Sequence, residues 1–130
     1  MQKFISIALI ILFTGMAHAA TCKSHKYYEK DYQRVWCSAS GGTTEYVLPD
    51  KARVDCVTET HAIEFDFAQK WAESIGQSLY YGKKLNKQPG IVLIVENGTK
   101  DAKYINRLKT VAEDSNISLW FMTPDDMSGK

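Results

Sequence analysis

The second half of this chain alternates helix-like and strand-like segments, and that order restricts the folds open to it. Residues 68–82 and 101–113 each repeat apolar side chains at helical spacing. Short apolar runs precede, separate and follow these two segments, at residues 62–67, 91–95 and 117–122. Strands that are joined through a helix usually pair in parallel, so we expect parallel pairing across these three runs.

The first half predicts one helix, over residues 26–38, followed by strands separated by turn signals. The strand-like segments are residues 44–48, 53–58 and 62–67. We therefore expect an α/β fold with a mixed sheet: a three-strand antiparallel meander, then strand–helix–strand, with helices on both faces. Gly82 is expected to end the second helix. Two further expectations are a basic loop at Lys83, Lys84 and Lys87 and a frayed tail over residues 123–130.

The first nineteen residues have the pattern of a cleaved export signal. Lys3 supplies a positive start, an apolar run follows to Met16, and Ala17-His18-Ala19 has the small residues that signal peptidase accepts. The apolar run of about 13 residues is shorter than the roughly 20 that a spanning helix needs, which disfavours the alternative of an uncleaved membrane anchor. We predict a signal peptide at 1–19, one domain at 20–130, and a bacterial periplasmic or secreted location without membrane attachment after cleavage.

Charge and cysteine content constrain the chemistry of that domain. Without Lys3 the chain keeps 15 basic and 15 acidic side chains, a balance that argues against strong nonspecific nucleic-acid binding but allows a local basic groove. Three cysteines in an oxidising compartment allow one disulfide and one free thiol. Cys22–Cys37 is the first pairing we consider, because the two residues flank the first helix; Cys37–Cys56 is its rival.

The second and third strands place carboxylates together. In the third strand Glu64 and Asp66 alternate with apolar residues and so share the face opposite the apolar side chains. If the two strands pair as a short hairpin, Asp55 lies beside both. Carboxylates this close repel one another unless a cation binds among them, and oxygen ligands suit Mg²⁺, Mn²⁺ or Ca²⁺. The alternative is a solvated polar face.

The helix that follows adds a polar stripe next to its apolar face. Lys70, Ser74, Gln77 and Tyr81 fall at offsets that align along one side of a helix. This stripe begins shortly after Glu64 and is expected to overhang the same carboxylates. A lysine in that position could bind a phosphate or orient a water molecule, whereas the simpler interpretation is the polar edge of an amphipathic helix.

Together these residues resemble a known family. Asp55, Glu64-Phe65-Asp66 and Gln77-x-x-x-Tyr81, on a helix–three strands–helix–strand order, resemble the restriction-endonuclease-like superfamily, whose signature is PD-(D/E)xK, and its RecB-like nuclease branch most of all. The resemblance covers roughly residues 26–122. Residues 62–81 are also similar to a set of small exported bacterial proteins of the same fold.

The resemblance implies roles for individual residues. Asp55 and Glu64 match the family's metal-binding carboxylates for Mg²⁺ or Mn²⁺, and Gln77 and Tyr81 match a helix motif that orders the site and the nucleic acid. Glu45, on the first strand, matches an additional acid that some members bring. The literal Pro49-Asp50 dipeptide is rejected as the signature, because Asp50 lies in a turn.

One position departs from the family. Asp66 stands where the family has lysine, and that change removes a cation expected to offset developing phosphate charge. Lys70 could substitute from the helix; otherwise Asp66 is a third metal ligand, or the site no longer cleaves. We therefore expect a small metal-dependent nuclease or a nuclease-fold module that binds a protein or nucleic acid without cleaving it. A different metal-dependent or carboxylate-based hydrolase is the remaining alternative. No Ser-His-Asp pattern, Gly-rich phosphate loop or zinc-ligand spacing is visible.

Overall fold

The computed structural model describes residues 25–128, so the predicted signal peptide and Cys22 lie outside the described residues. Helices and strands follow one another in the predicted order. They are α1 Glu29–Ala39, β1 Thr43–Val47, β2 Arg53–Val57, β3 His61–Phe67, a short 3₁₀ helix Ala68–Lys70, α2 Trp71–Leu85, β4 Gln88–Ile94, α3 Gly98–Ser115, β5 Ser118–Met122 and a second 3₁₀ helix Pro124–Met127.

The five strands form one mixed sheet in the order β1-β2-β3-β4-β5. β1, β2 and β3 pair antiparallel, as expected for a meander. β3, β4 and β5 pair in parallel, because α2 and α3 carry the chain back between them. The predicted α/β class and the split between an antiparallel half and a parallel half are confirmed.

Helices cover both faces of this sheet, and β4 shows how. Val92 and Ile94 pack in a core cluster with Tyr32 of α1. Ile91 and Leu93, which alternate with them, pack in a second cluster with residues of α3, and partly buried residues of α2 join that cluster. Successive strand residues point to opposite faces, so α1 lies on one side of the sheet and α2 and α3 lie on the other.

The disulfide differs from the first pairing considered. Cys37 bonds to Cys56, with 5.9 Å between their Cα atoms, because the end of α1 packs directly against β2. The expected Cys22–Cys37 bond is therefore wrong. Gly42 makes this approach possible: a Cβ atom there would lie 2.6 Å from the Cys56 sulfur, so only glycine fits without displacement.

The end of α2 also differs from expectation. α2 continues through Gly82 to Leu85 and ends at Asn86, whose φ is 51°, so Lys83 and Lys84 lie on its last turn and not in a loop. Gly82 is a packing position, since a Cβ there would lie 3.1 Å from the Pro89 ring.

The chain end is more ordered than predicted over the part that the structure describes. Residues Pro124–Met127 form a 3₁₀ helix, not a frayed tail. The Thr123 backbone N–H donates to the Asp126 carboxylate at 2.7 Å and starts that turn. Among residues 25–128, none of the helices combines the length and the apolar character that crossing a bilayer requires.

Candidate functional site

The site begins where β2 and β3 separate. Their regular pairing joins Cys56 with Ile63 and Val57 with Ala62. Asp55, which precedes Cys56 in β2, does not pair with β3 through its backbone. Its carboxylate oxygen Oδ2 instead accepts the Phe65 backbone N–H at 2.8 Å. The side chain of Asp55 therefore fills the gap between the strands and lies across from Glu64.

Glu64 is the most unusual side chain in the described structure. It is 5% exposed, and its Oε2 atom is buried with no hydrogen-bond partner. Burial raises the pKa of Glu64, and the negative charges of Asp55 and Asp66 raise it further. A buried acceptor without a partner costs about 1–3 kcal/mol, so this oxygen needs a proton or a cation.

Asp66, two residues further along β3, is 3% exposed. Burial raises its pKa to about 7, Glu29 raises it also, and Lys70 opposes the shift. The Lys70 ammonium lies 3.8 Å from an Asp66 carboxylate oxygen. The expected reach of the helix lysine toward the β3 carboxylates is confirmed for Asp66.

The same strand corrects one expectation. The solvated polar face considered as the alternative for these residues is not observed, because α2 covers this face of β3 and buries the Glu64 and Asp66 carboxyls. Burial in turn raises the pKa of Asp55, where desolvation is the largest cause, with Glu29 and Glu45 adding to it and the Phe65 N–H opposing it. Asp55 in turn contributes to the raised pKa values of both Glu64 and Asp66.

An open cleft of about 730 Å³ lies over these carboxyls, between α1, β1 and α2. Its lining combines acidic and basic side chains. The acidic ones are Glu29, Glu45, Asp55, Glu64, Asp66 and Glu73; the basic ones are Lys30, Arg34, Arg53 and Lys70; Gln33, Thr44 and Gln77 complete the wall. A cleft with cations around an acidic floor is suited to an anionic ligand that brings its own cation.

Glu45 reaches the cleft through an unusual backbone conformation. Its φ is 56°, in the left-handed region that a non-glycine residue adopts at a cost. The carboxylate forms an ion pair with Arg53 at 3.1 Å and contributes to the raised pKa of Asp55. The structure thus brings the predicted additional acid to the site, with a basic partner of its own.

The two members of the helix motif occupy different environments. Gln77 lines the cleft. Tyr81 is 6% exposed and packs with Leu48, Val54 and Ala62 in a core cluster, so its ring is held away from the open cleft. Burial raises the pKa of Tyr81, and a hydrogen bond with Gln77 opposes the shift. Of the two members of the motif, Gln77 therefore faces the cleft and Tyr81 belongs to the core.

Sequence reasoning missed Glu29, in the first turn of α1. It lines the cleft, its pKa is raised by burial with a further contribution from Glu45, and it raises the pKa values of Asp55 and Asp66. The Gln33 amide donates to it at 3.4 Å. The spacing of Glu29 and Gln33 on one side of α1 was the available signal, but nothing in the sequence placed that side over β3.

Asp50, the acid of the rejected dipeptide, lies outside the cleft. It accepts a hydrogen bond from the Ala52 backbone N–H within the turn and another from the exposed Tyr80 hydroxyl. Its pKa is lowered, first by the Tyr80 hydroxyl. An exposed, hydrogen-bonded turn carboxylate has none of the features of the Asp55–Glu64 pair.

The carboxyls match a metal only in part. Within residues 25–128, no group of three or more His, Cys, Asp or Glu side chains is placed to hold a metal ion, so the predicted set of Asp55, Glu64 and Asp66 is not assembled. What fits Mg²⁺ or Mn²⁺ is the pair of Asp55 and Glu64, with its unpartnered buried oxygen. Mg²⁺ is commonly held by one or two carboxylates and keeps several waters.

No protein-family model, curated protein or solved structure matches the chain significantly.

Proposed function

We propose that this chain is an exported, divalent-metal-dependent nuclease with a restriction-endonuclease-like core. The observation that carries the proposal is the buried, unpartnered Oε2 of Glu64 beside Asp55 on the floor of a charged cleft. An acceptor of this kind is costly in a protein that never binds a cation there. Packing gains nothing from this buried oxygen, so we attribute its free-energy cost to a role of Glu64 in binding a cation.

The order of elements supports the same proposal. Asp55 lies on the second strand of the meander, Glu64 on the third, and Gln77 and Tyr81 on the helix that follows. This is the order on which the family resemblance depends. The β2–β3 separation at Asp55 supplies the opening that a hairpin paired along its whole length would close.

The side chains divide the chemical tasks among them. Asp55 and Glu64 would hold Mg²⁺ or Mn²⁺, which when bound activates water and stabilises charge on a phosphodiester. Lys70 supplies positive charge from the helix, 3.8 Å from Asp66, and would balance charge that develops on the phosphate. Arg34 and Arg53 line the cleft wall, where guanidinium groups suit phosphate oxygens.

The proposed location is the bacterial periplasm or the medium. The Cys37–Cys56 bond is compatible with an oxidising compartment. The predicted signal peptide at residues 1–19 supports export independently of the bond.

A second candidate is a nuclease-fold module that binds a nucleic acid or protein and no longer cleaves. It is favoured by Asp66 in the family's lysine position and by the absence of a three-ligand group among residues 25–128. In that case Lys70 serves only to pair with Asp66, and Glu64 stays protonated.

One experiment separates the two candidates. The oxidised chain lacking residues 1–19 is incubated with single- and double-stranded DNA and RNA in Mn²⁺, Mg²⁺ or EDTA, beside Glu64→Ala. Cleavage that needs the metal and is lost in the variant supports the nuclease. A folded protein that neither cleaves nor binds Mn²⁺ by calorimetry supports the binding module.

A further inference from the structure

α3 presents a row of cations that form no ion pair with the carboxylates of residues 25–128. Lys100, Lys103 and Arg107 are exposed and follow one side of the helix at one-turn intervals. We call these three residues the α3 stripe. Among the described residues, none of the three lies within 4 Å of an acidic oxygen. Asp101, the one acid in the first turn of α3, is 2% exposed and accepts the Asn97 backbone N–H.

These cations stand where helix energetics oppose them. Like charges three and four residues apart on a helix cost a few tenths of a kcal/mol per pair. Lys100 and Lys103 also lie in the first two turns, at the positive end of the helix dipole, where cations are disfavoured. Three charges kept in this arrangement are explained by an anionic partner better than by the stability of α3.

Aromatic rings accompany the stripe. The Lys103 ammonium lies 4.9 Å from the centre of the Tyr104 ring, and the Arg107 guanidinium lies 5.9 Å from the Tyr104 centre and 6.0 Å from the Trp71 centre. Trp71 directly follows Lys70, which lines the cleft. Arg107, at one end of the stripe, therefore lies beside the residue that follows a cleft residue in sequence.

We infer that the α3 stripe binds the phosphodiester backbone of a single-stranded nucleic acid and leads it toward the cleft. The choice of a nucleic acid rests on the proposed function of that cleft. From Lys100 to Arg107 the helix rises about 10 Å, enough for two or three successive phosphates of one strand. A lipid surface fits less well, because the apolar side of α3 is already packed, with Leu108 and Ala112 buried in the core.

The test measures binding without cleavage. The affinity of the oxidised chain for a fluorescein-labelled 20-nucleotide single strand is followed by anisotropy in EDTA over a range of salt concentrations. The variant is K100Q/K103Q/R107Q. Log affinity falls with log salt, and each lost phosphate contact makes this fall less steep by about 0.7. We therefore expect the magnitude of the slope to decrease by about 2 and the affinity to decrease at least about 10-fold at low salt.

A matched variant controls for net charge. K51Q/K83Q/K84Q removes three exposed lysines from the β1–β2 turn and the end of α2 and should leave the salt slope unchanged. The α3-stripe variant also loses the contacts of Lys103 and Arg107 with the Tyr104 and Trp71 rings, so circular dichroism first confirms that both variants are folded at the assay temperature.

Four results of the binding measurements would contradict the inference. The inference is overturned if the α3-stripe variant keeps the wild-type slope, if the control variant loses as much, if the wild type does not bind the strand, or if it binds only phosphatidylglycerol vesicles. Mn²⁺-dependent hydrolysis of bis(p-nitrophenyl) phosphate, which is too small to reach the stripe, tests the cleft separately. Hydrolysis of this small ester without stripe-dependent binding of the strand rejects only this inference. Stripe-dependent binding without hydrolysis rejects only the proposal that the protein is a nuclease.

Discussion

The Asp55 carboxylate accepts the backbone N–H of Phe65 at 2.8 Å, in place of the backbone carbonyl that a continuous β2–β3 ladder would supply. This single hydrogen bond orients the Asp55 carboxyl, which interacts with the Glu64 carboxyl. It also keeps a buried donor satisfied while the two strands separate. The separation of β2 from β3 and the position of the Asp55 carboxylate therefore both depend on this hydrogen bond.

Asp55→Asn and Asp55→Ala separate these two roles. Asn retains an acceptor for the Phe65 N–H and loses the charge, whereas Ala loses both. Because an unsatisfied buried donor costs about 1–3 kcal/mol, we expect Ala to be less stable than Asn by about that amount in urea denaturation. Both variants should lose metal-dependent cleavage. Equal stability of the two variants would show that the hydrogen bond does not organise the site.

Stability should depend on pH because the site carboxyls hold protons in the folded state. The pKa values of Asp55, Glu64 and Asp66 are raised on folding, that of Asp66 to about 7. The unfolded chain releases these protons first, so the stability that the three carboxyls contribute is complete below about pH 4 and is lost as pH rises through 7. Each proton retained contributes up to about 1.4 kcal/mol per pH unit. The measurement is urea unfolding in EDTA from pH 5 to 8.

Glu64→Gln is the reference for that measurement. The lowered pKa of His61 acts in the opposite sense below pH 6.5, and the comparison with the variant cancels its contribution. We expect a shallower fall in the variant. Added Mn²⁺ should stabilise the wild type increasingly as pH rises, because the cation replaces the proton. Wild-type stability that is constant or increasing from pH 5 to 8 would contradict the assignment of buried protonated carboxyls.

Lys70 should matter for activity and little for stability. Its side chain is more than half exposed and its ion pair with Asp66 spans 3.8 Å, so Lys70→Met should change the free energy of unfolding by less than about 1 kcal/mol. Loss of a cation that stabilises the transition state typically lowers the rate about 100-fold or more. Cleavage rates of Lys70→Met and of the exposed control Lys51→Met test this; equal rates would remove Lys70 from the mechanism.

The Cys37–Cys56 bond should carry a large share of the stability. A bond between residues 19 apart in sequence restricts the unfolded chain by about 3 kcal/mol. We expect reduction, or Cys37→Ser with Cys56→Ser, to lower the urea midpoint, and Cys22→Ser to leave it unchanged. Peptide mapping of the oxidised protein gives the pairing directly, and a Cys22–Cys37 peptide would be the contrary finding.

The order of elements was predictable because apolar periodicity and turn residues are local signals. They indicated the meander, the two crossovers and the rejection of Asp50 as a site residue. The end of α2 was predicted wrongly at Gly82, because a glycine required by packing against Pro89 looks the same in sequence as one that ends a helix.

The candidate site was predictable only along β2, β3 and α2, where alternation and helical spacing place side chains on known faces. Burial of Glu64 and Asp66 depends on how closely α2 packs over β3, which no local pattern encodes. Glu29 was missed for a similar reason: α1 reaches the site only through its packing on the opposite edge of the cleft. The disulfide likewise depends on that packing.

The most direct test is the Mn²⁺-dependent cleavage rate of a single-stranded oligonucleotide by wild type, Glu64→Gln and the exposed control Glu113→Gln. Gln preserves the size of the side chain, and circular dichroism confirms that each variant is folded. We predict cleavage by the wild type and Glu113→Gln, none in EDTA, and a loss of at least about 100-fold in Glu64→Gln. Equal rates for Glu64→Gln and the wild type would show that Glu64 does not hold the metal.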